Sequence, residues 1–80
     1  MNNYAREHAP EMLKVSMKAR IRFAKQMGSD RISYTIYGKE NNEIYTEELI
    51  RKVATSLKAT LLYTATEVGN ETNREYVILI

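Results

Sequence analysis

Residues 76–80 read YVILI, apolar at every position and without alternation. A strand with one face in water alternates apolar and polar side chains, so this run demands cover on both of its faces. Few architectures can supply that within 80 residues, because a chain of this size buries only about 60% of its unfolded surface and has a thin core. The two ways open are a second copy of the chain on the far face, or a central position with the N-terminal arm folded across it.

The patterning upstream supplies the other elements. A helix is expected from Pro10 to Met27. Proline suits the first helical position, Glu11 suits the positive end of the helix dipole, and Gly28 offers a left-handed cap. In RISYTIYG, Ile32, Tyr34 and Ile36 alternate with Ser33, Thr35 and Tyr37, the period of a strand. GKENNE then reads as turn chemistry, with Glu43–Tyr45 returning as a short strand. Thr46 caps a second helix that carries Glu47 and Glu48 in its first turn and Leu49, Ile50, Val53, Ala54 and Leu57 on one face. The remainder reads as strand, Gly-Asn turn and strand, a closing hairpin. The expected fold is a single α+β domain over residues 1–80, with residues 1–9 as a flexible arm. Its small antiparallel sheet has three to four strands and two helices, in the order α-β-(β)-α-β-β.

Several chemistries lack their residues. With no cysteine there are no disulfides, no thiolate nucleophile and no cysteine metal site. His8 is the only histidine and falls in the expected arm, so no metal site is foreseen. There is no glycine-rich phosphate loop and no Ser/His/Asp set, and adjacent Glu47 and Glu48 diverge on a helix. The expectation is a non-enzyme without cofactor or small-molecule substrate. No secretory signal and no apolar run long enough for a bilayer is visible, which points to the cytoplasm.

Charge is the informative remainder. Residues 1–31 carry seven basic and three acidic side chains, a balance of +4, whereas residues 32–80 carry five and seven, a balance of −2. The excess gathers in MLKVSMKARIRFAKQ, residues 12–26, with five basic side chains and no acidic one. At 100° per residue, Met12, Leu13, Met17, Ile21, Phe23, Ala24 and Met27 share a broad apolar arc. Lys14, Lys18, Arg22 and Lys25 gather opposite, along about 16 Å of helix, with Glu11 at their N-terminal end. Solvated helix faces usually mix signs for i,i+4 support, and this one does not. Arg20 alone lies within the apolar arc. It is expected to snorkel to water with its stem packed, the alternatives being an acid such as Glu48 or a dimer interface.

Two further features bear on nucleic acid. Tyr37 and Tyr63 could share a sheet face on which bases stack, although cross-strand packing also accounts for them. Helix two followed by a hairpin resembles a recognition helix plus wing, with Arg51, Thr55 and Lys58 on its exposed side. A winged-helix arrangement needs another helix before it, where RISYTIYGKENNEIY reads as strand and turn. The expected function is a small nucleic-acid-binding, DNA-directed regulator or accessory protein. It would touch phosphates through Lys14, Lys18, Arg22 and Lys25, with Arg51 and Lys58 as secondary contacts. The alternative is an inhibitor or adaptor docking on an acidic protein.

Overall fold

The computed structural model describes residues 3–67 and 69–80, in the order α1 (Asn3–Gln26), β1 (Arg31–Ile36), α2 (Lys39–Ile44), α3 (Glu47–Ser56), β2 (Thr60–Glu67) and β3 (Asn70–Leu79). The three strands form one antiparallel sheet in the order β1-β3-β2. This is the expected α+β class, with three helices instead of two.

Strand β3 is central in the sheet, but YVILI has helical cover on one face only: Leu79 is 38% exposed, and residues 3–9, expected as an arm that could fold across the strand, belong to α1. Tyr76 and Ile78 are fully buried, in one core with Ile32, Tyr34 and Ile36 of β1, Leu61 of β2, and Leu13, Met17, Ile50 and Ala54 of the helices. Both α1 and α3 therefore lie on the same face of the sheet. Val77 points to the other face, where its strand neighbours Ser33 and Tyr63 leave it only 7% exposed. Among the described residues no helix covers that second face.

Helix α1 begins well before Pro10, which lies inside it. Met1 and Asn2 fall outside the described residues, but residues 3–9 of the expected arm are helical, so Glu11 sits mid-helix and not at the dipole's positive end. Pro10 removes one helical hydrogen bond. The turns before it are held by the Tyr4–His8 ring stack, with centroids 3.9 Å apart, and by burial of Ala9. Tertiary contact thus outweighs the local start signal. At the other end Gly28 adopts φ +77°, and the bonds Ser29 N–H to Ala24 O (2.8 Å) and Gly28 N–H to Lys25 O (3.0 Å) close the helix as expected.

The second correction concerns residues 39–45. The expected turn and return strand at Glu43–Tyr45 are instead helix α2 followed by Tyr45, which packs against the core. Side-chain amides decide this. Asn42 Nδ2 donates to Ile36 O (3.0 Å), Gly38 O (2.8 Å) and Thr72 O (2.6 Å), pinning the helix to the end of β1 and to β3. Asn41 Nδ2 adds a bond to Tyr37 O (2.9 Å), and Gly38 turns the chain at φ +88°.

Helix α3 starts as its sequence dictates. Thr46 Oγ1 accepts from Leu49 N–H at 3.2 Å, with Glu47 and Glu48 in the first turn. Thr46→Ala should lower stability by about 1 kcal/mol. A urea titration checks this, with the midpoint falling and the slope unchanged. The hairpin follows, with Gly69 at φ +86°; Val68 of its turn lies outside the described residues.

Candidate nucleic-acid interface

The buried side of α1 consists of Ala9, Leu13, Met17, Ile21 and Ala24. Lys14, Lys18, Arg22 and Lys25 are all exposed, turned away from the sheet along the outer flank of the helix. Ion pairs are seen between Arg31 and Asp30 at 3.0 Å and between Arg51 and Glu47 at 3.7 Å, and neither involves these four. None of the four α1 cations is in an ion pair among the described residues, and the one carboxylate close to the row is Glu11, beside Lys14 at its N-terminal end. Lys14 and Lys18, Lys18 and Arg22, and Arg22 and Lys25 are neighbours on the helix, and like charges at that spacing cost a few tenths of a kcal/mol per pair.

Helix α3 packs beside α1 and extends this surface, though not through the residues first expected to do so. Pro10, Glu11 and Lys14 face Leu49, Lys52, Val53 and Ser56 across a shallow groove of about 260 Å³. Lys52 thus joins the ridge. Arg51, about 100° further round α3, turns to the other flank and binds Glu47. Lys58 lies beyond the end of α3 as its left-handed cap, at φ +61°, where Ala59 N–H reaches Ala54 O at 2.8 Å. Arg51 and Lys58 are therefore separate from the α1 ridge. The signal for Lys52 was present in the wheel of the second helix, where it falls on the same flank as Leu49 and Ser56. Which flank meets α1 is a tertiary fact.

Tyr37 and Tyr63 do share the uncovered sheet face. Tyr37 lines a depression of about 240 Å³ with Thr35, Ala65, Thr66, Asn73 and Glu75, and Tyr63 stands beside Val77. They are 66% and 56% exposed, so cross-strand packing does not bury them. Ser33 Oγ–H donates to the carboxylate of Glu75 at the middle of this face. Glu75 there opposes phosphate, and the tyrosines lie on the opposite side of the sheet from the cation ridge.

Arg20 reaches outward, as snorkelling predicts, and does more. Its guanidinium donates to Ser33 O at 2.6 Å and lies 5.4 Å from the centre of the Tyr34 ring. Ile80 N–H bonds to Asp30 O (2.9 Å), so by alternation Arg31, Ser33 and Thr35 direct their main-chain groups to the free edge of β1. Ser29 Oγ–H occupies Arg31 O at 2.8 Å and Arg20 occupies Ser33 O. The edge is thereby partly closed to strand addition.

Helix α2 bears on the winged-helix comparison. The helix whose absence stood against that arrangement is present, immediately before α3 and the hairpin. Its packing partners include β3 and α1. The exposed side of α3 carries Glu48 beside Arg51, Lys52 and Thr55, a mixed surface unlike that of α1. Among the described residues no cluster of His, Asp or Glu could hold a metal ion, and no helix is long and apolar enough to cross a membrane. Comparison with protein-family models, with curated proteins and with solved structures finds no match.

Proposed function

We propose that this protein binds nucleic acid, double-stranded DNA first among the candidates, as a small regulatory or accessory factor. It does so by laying the outer flank of α1 along the phosphate backbone. The observation that carries this reading is the row Lys14, Lys18, Arg22 and Lys25, joined by Lys52, without an ion pair among the described residues. Phosphates are the ligand that turns such a row from a cost into a gain, by releasing condensed counterions. Contacts of this kind fix position and carry no sequence information. The helix pair α2–α3 with its hairpin favours a duplex over a single strand, because it offers a second element, through Arg51 and Thr55, that could enter a groove.

The test is anisotropy of a labelled random duplex and of a labelled single strand, titrated with the protein across a salt series. Four phosphate contacts predict a log–log slope of about −3 to −4 on duplex, a loss of about a hundredfold in affinity between about 50 and about 200 mM salt. No binding to either strand at the lowest salt refutes the reading and leaves the ridge to an acidic protein partner. Two variants separate the two surfaces: Lys14, Lys18, Arg22 and Lys25 all changed to Glu on the α1 ridge, and Arg51→Glu with Lys58→Glu. If the second abolishes duplex binding while the first does not, α3 and not α1 is the contact helix.

A further inference from the structure

The sheet face that no helix covers among the described residues holds a carboxylate at its middle. Glu75 is half-buried on β3, with Thr35 of β1 opposite it on one side and Ala65 of β2 on the other. Its Oε2 accepts from Ser33 Oγ–H, and its Oε1 meets no donor among the described residues. Glu75 is in no ion pair among the described residues either. Burial has taken part of its water without bringing a counter-charge, and that costs free energy. A cation from outside the chain would offset the cost.

The surroundings say which cation. Glu75 lines the depression of about 240 Å³ together with Thr35, Tyr37, Ala65, Thr66 and Asn73, none of them basic. The hydroxyls of Thr35 and Thr66 make no side-chain hydrogen bond among the described residues, so both edge strands offer acceptors there. Tyr37 adds an aromatic ring, 66% exposed, whose place is fixed from two directions. Asn73 Oδ1 accepts from Gly38 N–H at 2.9 Å, and Asn41 Nδ2 donates to Tyr37 O at 2.9 Å. The turn that carries the ring is thereby tied to β3 and to α2. A carboxylate, neutral acceptors and a tyrosine are what a guanidinium matches, with a planar fork of donors for the first two and a flat cation for the ring. An ammonium lacks the fork and holds its water more tightly. A metal ion needs more ligands than this one carboxylate, and no metal-binding cluster exists among the described residues.

We infer that this depression recognises a guanidinium, the arginine side chain of a protein partner that docks on the open face of the sheet. Its size suits one side chain, since sites for whole drug-sized ligands run to about 300–1,000 Å³. Beside it on the same face stand Val77, Tyr63 and Leu79, the last two 56% and 38% exposed. They offer apolar contact to whatever flanks the arginine in the partner. An arginine seated in a pocket with apolar contact around it is the common make-up of an interface hot spot. The charge balance agrees. Residues 32–80, which build the depression, carry five basic and seven acidic side chains, whereas the cations of α1 lie on the other side of the sheet. This face therefore calls for a basic partner, distinct from the polyanion proposed for α1, and the inference does not rest on the nucleic-acid reading.

Proton–nitrogen correlation spectra of the isotope-labelled protein, titrated with acetyl-arginine amide at about 20 mM salt to limit screening, test this. The amides of Thr35, Ala65, Thr66 and Glu75 should shift together and saturate, while those of α1 stay still. The Kd should be on the order of 1 mM, the strength open to a ligand of this size. Acetyl-citrulline amide, of the same shape without the charge, should bind at least about tenfold more weakly. Acetyl-lysine amide should bind about fivefold more weakly. Glu75→Gln should lose at least about tenfold in affinity and Tyr37→Ala about fivefold. Tyr63→Ala, on the same face outside the depression, should leave the Kd for acetyl-arginine amide unchanged. The peptide acetyl-Leu-Arg-Leu-amide should bind at least about threefold tighter than the single capped residue, through the apolar flank. Tyr63→Ala should remove that gain alone. The same spectra show whether each variant is folded.

No saturable shift at about twenty times the expected Kd overturns the inference. So does citrulline binding as well as arginine, or Glu75→Gln keeping full affinity. Lysine binding as tightly as arginine shows unselective attraction of cations and overturns the guanidinium assignment. A peptide that binds no tighter than the capped residue overturns the protein partner. None of these probes carries a phosphate, so a protein that takes up arginine but no duplex leaves this inference standing while the functional reading falls.

Discussion

Changing Lys14, Lys18, Arg22 and Lys25 together to glutamate should abolish duplex binding at any salt concentration. The four contacts are lost and four like charges now face the phosphates. The fold should survive, because all four side chains are exposed and make no ion pair among the described residues. The single change Lys18→Glu is more informative, since its two effects have opposite signs. Lys18 has Lys14 four residues before it and Arg22 four after. A carboxylate there converts two repulsions into two attractions, each side of the change being a few tenths of a kcal/mol. Stability should rise by about 1 kcal/mol. Binding should weaken, and the salt slope should flatten by about 0.9, one phosphate contact's share. A variant that gains stability and keeps full affinity shows that the ridge is only a solvated surface.

Tyr76→Ala should unfold most or all of the protein. Tyr76 is 0% exposed on the central strand, with Tyr34 of β1 on one side and Thr64 of β2 on the other. Truncating a large buried aromatic costs about 3–5 kcal/mol, and a domain of this length has only about 4–12 kcal/mol in total. Tyr76→Phe should behave differently. The hydroxyl is buried without a hydrogen-bond partner, so removing it should leave stability unchanged or raise it by up to about 1 kcal/mol.

The same hydroxyl predicts a response to alkali. Burial raises the phenol above its ordinary value of 10.0, with Arg74 nearby working the other way. The folded protein therefore holds this proton more tightly than the unfolded chain. Stability from this group is complete below pH 10 and is lost as pH rises through the folded value. Thermal melts from pH 8 upward should show a steeper alkaline decline for the natural protein than for Tyr76→Phe. Identical declines would show that Tyr76 does not titrate differently in the two states.

What the chain determined by itself were the features that depend on near neighbours. The alternation of Ile32, Tyr34 and Ile36 made β1, Thr46 capped α3 and Gly28 stopped α1, since each acts through bonds and dihedral angles within a few residues. The unalternating YVILI was read as needing cover on both faces; the helices supply it for Tyr76 and Ile78, while Leu79 on the other face is 38% exposed. The row of α1 cations was legible for the same reason, since helical spacing alone puts them together.

Only the tertiary structure decided the rest. Residues 39–44 have turn-like composition and become helical because Asn42 finds three carbonyls, one of them on a strand thirty residues later. Local spacing could not tell which flank of α3 meets α1, so it favoured Arg51 where Lys52 lies in the groove. It likewise assigned Met12, Phe23 and Met27 to the core, because a helical wheel shows how wide an apolar arc is but not how much of it a neighbour covers. Core packing needs only the arc from Ala9 through Ile21; Met12 and Phe23 lie outside it and stand in solvent, and Met27 follows the last residue of the helix. Periodicity is a property of one segment, whereas burial is a property of two surfaces in contact, and only the folded chain brings the second surface into place.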